Sequence, residues 1–429
     1  MKIPYSNQFD LKTDRLNWAN HNKHLCLLPY QALQFYHSSQ SVSVCCNLIS
    51  RPEQDFLRPV RELKKAIESG QTYKDCQDCY DCEENGKISE RTRYLIQLND
   101  NQIDRLLNEN LIEKDSMDEF YIHCTLSNLC NMACRSCNIQ TSSLFAKIET
   151  GHEHLTETIS DTPNYWNTML QSIKDAAKKY PKVIVVISGG EGFVQPDFQR
   201  LVDWMIEEGL CKNIKLTINT NGSVADFKTF EPLLSKFKQV ELAVSVDSIN
   251  ENYHYVRWPM TWDKIKQNLD QYVEYKNKFE NFNFFLTPVW SINNIFYLKD
   301  WVLFFEEYEK KIDFLAAGDT PLYWPDWLDI RYLPNYIKAA LAEQLKDIIN
   351  NSWLIKNKSF HVNVYNLYSI CLKQEDIPNQ NLNWKTYLSN TAKWDIRTKT
   401  NLHIHNQKLY EVLNNEDREL FEKIKQQSK

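Results

Sequence analysis

The sequence predicts an α/β protein built on a partial (β/α)6 barrel, with a cysteine-rich N-terminal segment and a helical C-terminal extension. Six short apolar patterns typical of strands alternate with amphipathic helix patterns from about residue 118 onward. This alternation indicates a parallel sheet with right-handed helical crossovers. Polar or glycine-rich segments follow the first five strand patterns. In a TIM-like barrel the loops after the strands share one face, so one functional site is expected there.

The strand patterns are short runs rich in β-branched and aromatic residues. The clearest run is KVIVVIS, as expected of a buried parallel strand. The six runs are 119–126, 182–188, 213–220, 239–246, 282–289 and, more weakly, 311–317. The helix patterns between them are 165–180, 197–210, 227–238, 261–279 and 295–311.

Changes in composition and in the strand and helix patterns divide the chain into three predicted units. Residues 1–115 are rich in cysteine and irregular, apart from one helix pattern at LRPVRELKKAIESG. Residues 116–320 carry the barrel, and residues 321–429 form a mostly helical extension. A chain of 429 residues is long enough for two or three such units.

Composition excludes several classes of protein. The net charge of −6 and the pI near 6.0 argue against a broad nucleic-acid surface. The N-terminus lacks the pattern of a secretory signal, and no apolar run approaches the ~20 residues that cross a bilayer. We therefore expect a cytoplasmic protein without a membrane partner. In a reducing compartment, clustered thiols indicate a metal site more often than disulfides.

The tightest group of thiols is Cys130, Cys134 and Cys137, spaced C-x3-C-x2-C directly after the first strand pattern. A structural zinc usually takes four ligands, often from C-x2-C pairs. A cubane iron–sulfur cluster also takes thiolates from closely spaced cysteines. Three thiolates would leave one iron open to a small ligand. Zinc or simply buried thiols remain the alternatives for this group.

This spacing, followed by Gly189-Gly190-Glu191 after the second strand pattern, resembles the radical S-adenosylmethionine (SAM) superfamily. The resemblance implies that Cys130, Cys134 and Cys137 hold a [4Fe–4S] cluster whose open iron binds SAM. It further implies that reductive cleavage of SAM gives a 5′-deoxyadenosyl radical, which abstracts hydrogen from a substrate. The superfamily usually has an aromatic residue before the last cysteine, where this chain has Ser136.

The same resemblance assigns further residues to SAM. Gly189, Gly190 and Glu191 match the motif that holds its amino group. Ser245 and Arg257 match the pair that contacts its carboxylate and ribose, and arginine suits forked binding of a carboxylate. Asn219 and Asn221 follow the third strand pattern and are expected to line the site.

The N-terminal cysteines resemble the auxiliary-cluster segment of SPASM/twitch radical SAM proteins. The resemblance implies a second [4Fe–4S] cluster on Cys26, Cys45, Cys76 and Cys79, with Cys46 and Cys82 as competing ligands. Gln40 stands where the family usually has glycine, and the segment precedes the barrel rather than following it. A zinc knuckle of four cysteines is the alternative, because C-x2-C at Cys76 and Cys79 is also a zinc spacing.

The family resemblance implies a substrate class and a partner. The leading hypothesis is modification of a peptide or protein side chain, motivated by the two cysteine groups and by a tail long enough to form a groove. One alternative is a dehydrogenase or mutase acting on a sugar or nucleotide. Another is a non-catalytic iron–sulfur protein, such as a redox sensor. A flavodoxin or ferredoxin is the expected reductant.

Overall fold

The computed structural model describes residues 8, 12–45, 48, 55–108, 118–152, 158–312, 320–353, 361–373 and 377–428. Its strands are β1 (Ala32–Tyr36), β2 (Ser41–Ser43), β3 (Glu119–Thr125), β4 (Ala133–Cys134), β5 (Lys182–Ser188), β6 (Ile214–Thr220), β7 (Gln239–Val244), β8 (Arg257–Trp258), β9 (Phe282–Leu286), β10 (Val289–Trp290) and β11 (Thr320–Pro321).

One sheet of seven strands forms the centre of the protein, in the order β2-β1-β3-β5-β6-β7-β9. All neighbours in it are parallel except β2, which pairs antiparallel with β1. Two small pairs flank it, β10 with β11 and β4 with β8. The predicted α/β class with a parallel, barrel-like sheet is confirmed.

Helices connect and cover these strands. The N-terminal helices are α1 (Arg15–His21), α2 (Leu28–Gln31), α3 (Arg58–Glu68), α4 (Gln77–Glu84), α5 (Glu90–Ile96) and α6 (Asp100–Asn108). The central helices are α7 (Ser143–Thr150), α8 (Pro163–Lys179), α9 (Pro196–Glu207), α10 (Phe227–Lys236), α11 (Asn250–Val256), α12 (Trp262–Lys278) and α13 (Leu298–Ile312). The C-terminal helices are α14 (Asn335–Asn351), α15 (His361–Leu372), α16 (Gln380–Thr398), α17 (Leu402–His405), α18 (Gln407–Val412) and α19 (Asn415–Gln427).

Local sequence signals set several helix boundaries. The Ser142 side chain accepts a hydrogen bond from Phe145 N and caps α7, which ends at the left-handed Gly151. Asp226 caps α10 in the same way through Thr229 N. Proline at the first position begins α8 and α9, where its missing N–H costs nothing.

Five of the six predicted strands lie in the central sheet as β3, β5, β6, β7 and β9. The sixth, at 311–317, falls largely outside the described residues, and its first two residues end α13. The sequence analysis did not find β1, which extends the sheet from the N-terminal segment. A five-residue apolar run within a mixed segment carries no periodicity that separates strand from helix. The division of the chain near residues 115 and 320 remains a prediction.

The two faces of the sheet differ in burial. Val183, Val185 and Ile187 of β5 are fully buried against the helices. The alternate positions of β3, β5 and β6 include residues that are only partly buried. No described helix is both long and apolar enough to cross a membrane.

Candidate active site

The loop after β3 carries Cys130, Cys134 and Cys137, and it is fastened across the carboxyl ends of the strands. Cys134 lies in β4, which pairs antiparallel with β8 so that Cys134 stands opposite Arg257. Arg135 N donates to Val256 O at 2.9 Å, next to this pair. The segment after β7 therefore fixes the position of the cysteine loop.

The three thiols converge, as the sequence predicts. Cys134 and Cys137 are hydrogen-bonded to each other, and Cys130 is close enough to both to affect their charge. Burial, together with Cys134, raises the pKa of Cys130 to about 12. Thiols this close together suit a metal or cluster site, because binding of the metal releases the thiol protons.

Arg257 of β8 contacts the thiols through Cys134 of the paired strand β4. Its Nη1 lies 3.6 Å from Cys134 Sγ, and its Nη2 lies 2.8 Å from Asp247 Oδ2. Burial lowers the pKa of Arg257, but Asp247 and Cys134 raise it more, so the guanidinium stays charged. Its Nε is buried and has no hydrogen-bond partner in the described part of the chain. An unpaired donor beside the thiols fits an anionic ligand such as the carboxylate of SAM.

Asp247 was not assigned by the sequence analysis, although its place after the fourth predicted strand was a signal. It accepts a hydrogen bond from Val289 N at 3.0 Å as well as the ion pair from Arg257. The buried carboxylate thus orients the guanidinium and ties together the loops after β7 and β9.

The Gly-Gly-Glu loop packs directly on the cysteine loop. Gly190 has a φ of +54°, and a Cβ there would lie 2.2 Å from Leu129 O. Glu191 N donates to the same carbonyl at 2.9 Å. Only glycine allows so close an approach of two backbones. The Gln195 amide, which the sequence analysis missed, bonds Leu129 O at 3.2 Å and Gly189 O at 2.6 Å.

The Glu191 carboxylate is fully buried and bonds the neighbouring strand. It accepts from Thr220 Oγ1 at 2.9 Å and from Asn221 N at 2.6 Å. Burial raises the pKa of Glu191 to about 7, against the opposing effect of these hydrogen bonds. The side chain therefore braces the loop after β6.

The remaining predicted residues lie at the carboxyl ends of β6 and β7. The Asn221 amide donates to Asn131 Oδ1 at 2.8 Å and lies 3.9 Å from Cys130 Sγ. Asn219 is exposed, and Ser245 is half-buried directly after β7. Asn221 therefore contacts the cysteine loop, whereas the Asn219 side chain is exposed at the end of β6.

The more open face of the sheet carries paired polar groups below this loop. His123 of β3 lies 2.5 Å from Ser188 Oγ of β5, and burial lowers the pKa of His123, which keeps it neutral at pH 7. Lys215 of β6 and Glu241 of β7 form an ion pair at 2.8 Å. Alternation along the strands was the sequence signal for this polar face.

The N-terminal cysteines form a second group. Cys76 is close enough to Cys26, Cys45 and Cys79 for each of them to raise its pKa, after the larger effect of burial. Burial also raises the pKa of Cys26 to about 12. The four thiols that the family resemblance selects are thus brought together.

The competing ligands are placed differently. Cys82, one turn after Cys79 on α4, directs its Sγ to Ile88 O at 3.6 Å. Cys46 lies outside the described residues. Arg91, which the sequence analysis missed, is buried beside Cys26 and bonds Glu83 at 2.5 Å and Leu25 O at 2.9 Å. It holds α4 against the segment that carries Cys26.

The C-terminal extension is joined to the cysteine loop by a buried ion pair and a hydrogen bond. Arg135 bonds Asp395 of α16 at 2.6 Å and Thr400 Oγ1 at 3.0 Å, and its guanidinium lies 3.6 Å from the centre of the Tyr255 ring. Both members of the ion pair are buried. This contact joins residues 260 positions apart, so no sequence pattern indicates it.

Within the described ranges, no group of three or more His, Cys, Asp or Glu side chains is arranged to ligate a single metal ion, although the cysteines of each group lie near one another. The case for a cluster on Cys130, Cys134 and Cys137 therefore rests on the nearness of the thiols and on the unpaired Arg257 Nε beside them. At the N-terminal group it rests on the nearness of the thiols alone. Both groups fit a thiolate-bound cluster by the chemistry of their donors.

Comparison with known proteins shows what the central segment of the chain is similar to. Residues 124–293 match the model of the Radical SAM superfamily, and this segment contains the three converging cysteines, the Gly-Gly-Glu loop and Arg257. This segment, which is less than half of the chain, therefore resembles that superfamily. No curated protein matches the sequence.

Solved structures with similarity include anSMEcpe with bound AdoMet, at 17% identity over 56% of this chain and 63% of that chain, with a TM-score of 0.40. Streptococcus suis SuiB bound to S-adenosylmethionine is 19% identical over 64% of this chain and 59% of that chain, with a TM-score of 0.33. SuiB bound to precursor peptide SuiA is 17% identical over the same shares, also with a TM-score of 0.33. The matched region thus spans about three-fifths of each of these chains.

Proposed function

We propose that Cys130, Cys134 and Cys137 hold a [4Fe–4S] cluster with one open iron, and that SAM binds there. The observation that carries the proposal is that the buried Cys134 and the half-buried Cys130 and Cys137 lie near one another, beside the charged, partly unpaired Arg257. When bound, the cluster supplies the electron that cleaves SAM to a 5′-deoxyadenosyl radical, which abstracts hydrogen from the substrate.

The residues around the thiols would each bind one part of SAM. The Arg257 Nε offers a donor to the carboxylate. Gly189 and Gly190 pack closely on the cysteine loop and are half-buried, so their backbone would lie beside the amino group. Glu191 acts mainly by holding the loop after β6, since its oxygens already accept hydrogen bonds there. Ser245 and Asn219 would contact the ribose side.

The second cysteine group would hold an auxiliary [4Fe–4S] cluster through Cys26, Cys45, Cys76 and Cys79. Four thiolates would satisfy all four irons, so this cluster would carry electrons rather than bind substrate directly. The direction of Cys82 toward Ile88 O favours Cys79 over Cys82 as the ligand from α4. A zinc ion on the same four thiols is the alternative.

The substrate that we propose is a peptide or protein side chain. Support comes from the two cysteine groups and from the C-terminal extension, which packs against the cysteine loop and leaves an open face beside it. An acidic or polar small molecule, such as a sugar or nucleotide, is the second candidate. The His123–Ser188 pair favours it, because it lies near the carboxyl ends of β3 and β5 and offers hydrogen bonds to a polar ligand.

The first experiment measures iron, sulfide and 5′-deoxyadenosine after anaerobic reconstitution. About eight irons per chain are expected for two cubanes and about four for one. Reduced protein with SAM should release 5′-deoxyadenosine. Cys134→Ala should abolish that release and lower the iron content by about four. Full release by the variant, or zinc in place of iron, would contradict the proposal.

The second experiment separates the substrate classes. Reduced enzyme and SAM are incubated with peptides encoded beside the gene, and separately with sugars and nucleotides. A mass shift in a peptide supports the leading candidate, and turnover of a sugar or nucleotide reverses the ranking. Stoichiometric consumption of SAM indicates net oxidation, whereas regeneration indicates a mutase.

A further inference from the structure

The hydroxyl of Tyr253, on α11, is buried near the cysteine loop without a partner. The residue is 0% exposed, and its hydroxyl oxygen has no hydrogen-bond partner in the part of the chain that the structure describes. A buried hydroxyl is costly to leave unpaired. The position of Tyr253 therefore calls for an acceptor that these residues do not supply.

Two buried tyrosines of the next helix, α12, are satisfied by the chain. The Tyr272 hydroxyl donates to Val224 O, and the Tyr275 hydroxyl donates to Ala225 O at 2.8 Å. Tyr272 is close enough to Tyr253 for the two phenols to interact electrostatically. The fold thus provides carbonyl acceptors for these two hydroxyls, but the described residues provide none for Tyr253.

Tyr253 lies one helical turn before Arg257. Arg257 N donates to Tyr253 O, and side chains four residues apart lie on the same face of a helix. Arg257 Nη1 in turn lies 3.6 Å from Cys134 Sγ. The Tyr253 ring packs against Trp262, with ring centres 5.7 Å apart, which fixes its position. The phenol is therefore held on the side of α11 that faces the thiols.

Few acceptors are within reach of this hydroxyl. The ionisable groups close enough to interact with it electrostatically include Arg257, Cys134, Asp247 and Glu191. Arginine has no acceptor atom. The two carboxylates already accept hydrogen bonds or an ion pair from other groups, and the Tyr253 hydroxyl bonds neither of them. The acceptor that remains on this side is sulfur at Cys134.

We propose that the Tyr253 hydroxyl donates a hydrogen bond to sulfur of the [4Fe–4S] cluster at its Cys134 corner and thereby raises the reduction potential of that cluster. The inference rests on the proposed function, because it requires a cluster on Cys130, Cys134 and Cys137. A phenol keeps its proton at neutral pH and can donate it to a hydrogen bond. Reduction adds negative charge to the cluster, so a donor to its sulfur stabilises the reduced form more than the oxidised form.

The test compares Tyr253→Phe, which removes only the hydroxyl, with the wild type after anaerobic reconstitution of the full chain. Redox titration without SAM is followed by electron paramagnetic resonance, and the relevant cluster is the one whose signal changes when SAM is added. Tyr253→Phe should lower the equilibrium constant for its reduction about tenfold, which is about 59 mV for one electron. Electron–nuclear double resonance of the reduced wild type, with tyrosine labelled at the hydroxyl by a magnetic oxygen isotope, should show coupling of that oxygen to the cluster.

Tyr275→Phe is the matched control, because it removes a buried phenol hydroxyl that already bonds Ala225 O. Its cluster should keep the potential of the wild type. An unchanged potential in Tyr253→Phe would overturn the proposal, and so would an equal shift in the control. Weaker SAM binding by Tyr253→Phe with an unchanged potential would overturn it too, by assigning the hydroxyl to SAM.

The isotope measurement needs no variant, so it decides the matter even where Tyr253→Phe takes up less iron. Absence of oxygen coupling from a wild type that holds its cluster would overturn the proposal. Failure of the wild type to hold an iron–sulfur cluster on Cys130, Cys134 and Cys137 would instead refute the proposed function.

Discussion

Gly190 shows at the scale of one residue how the site constrains the sequence. Its φ of +54° is a left-handed conformation, and an added Cβ would meet Leu129 O at 2.2 Å. Gly190→Ala should therefore lower the free energy of unfolding by at least about 3 kcal/mol and displace the cysteine loop. Urea denaturation measures the first effect, and iron content after reconstitution measures the second.

Gly86→Ala is the matched control for that substitution. Gly86 has a φ of +71°, but no atom lies within 4 Å of the added Cβ. It should lose only the backbone strain of about 1–2 kcal/mol and keep its iron. Equal losses in both variants would mean that contact with Leu129 is unimportant.

Glu191 predicts a pH dependence of stability. Its pKa is about 7 in the folded protein against 4.5 for an unperturbed carboxyl. The folded state therefore binds the proton more tightly than the unfolded chain, and the resulting stabilisation is present below pH 4.5 and lost as pH rises through about 7.

Glu191→Gln should remove this dependence from that window. It should also cost about 1–3 kcal/mol, because an amide nitrogen would replace the oxygen that accepts from Asn221 N. Urea unfolding of both proteins at several pH values between 4.5 and 8 tests this. Curves of free energy against pH that run parallel would show that Glu191 does not titrate there.

Residue types and spacing were enough to predict that certain groups lie near one another, but not all of the contacts between them. Cys130, Cys134, Cys137 and Arg257 meet as predicted because loops after parallel strands share one edge. Gln195 and Asp247 were missed, since their roles depend on which way a side chain turns. The hydrogen bond from Asn221 N to the Glu191 carboxylate could not be predicted for the same reason.

At the scale of elements, the extension and the cysteine loop depend on each other. Asp395 of α16 accepts from Arg135 and also from Leu402 N at 2.7 Å. Asp395→Asn removes the buried negative charge opposite Arg135 and should cost about 3–5 kcal/mol. Chemical denaturation and the iron retained after gel filtration measure the outcome.

Asp329→Asn supplies the comparison for Asp395→Asn within the same extension. Asp329 is also buried, but its partner Arg331 is partly exposed and lies outside the cysteine loop. It should lose less stability and keep the full iron content. Loss of iron in this variant alone would show that the extension affects the cluster by another route.

Element prediction succeeded where a long periodic pattern existed and failed where it did not. KVIVVIS is predicted as a strand because its five consecutive apolar, β-branched residues leave no polar helical face, and it forms β5. The run ALQFY gave no such signal, yet it forms β1 by pairing with the edge of β3. Neighbouring strands, rather than its own residues, decide that conformation.

At the scale of the whole molecule, the central sheet connects the two cysteine groups. β1 follows Cys26 closely and pairs in parallel with β3, which leads into Cys130. The N-terminal segment is thus built onto the central sheet. A second cluster there would have a fixed position relative to the first, as electron transfer between them requires.

The two cysteines of α4 offer a direct test of that arrangement. Cys79 is buried among the converging thiols, whereas Cys82 turns to Ile88 O. Cys79→Ala should lower iron from about eight to about four per chain and abolish substrate turnover, while some release of 5′-deoxyadenosine persists. Cys82→Ala should retain about eight irons and full activity. Iron analysis, 5′-deoxyadenosine assays and product mass spectrometry on both variants give the answer. The reverse pattern would move the ligand to Cys82, and loss of all iron from Cys79→Ala would mean that the N-terminal site is needed for the protein to fold.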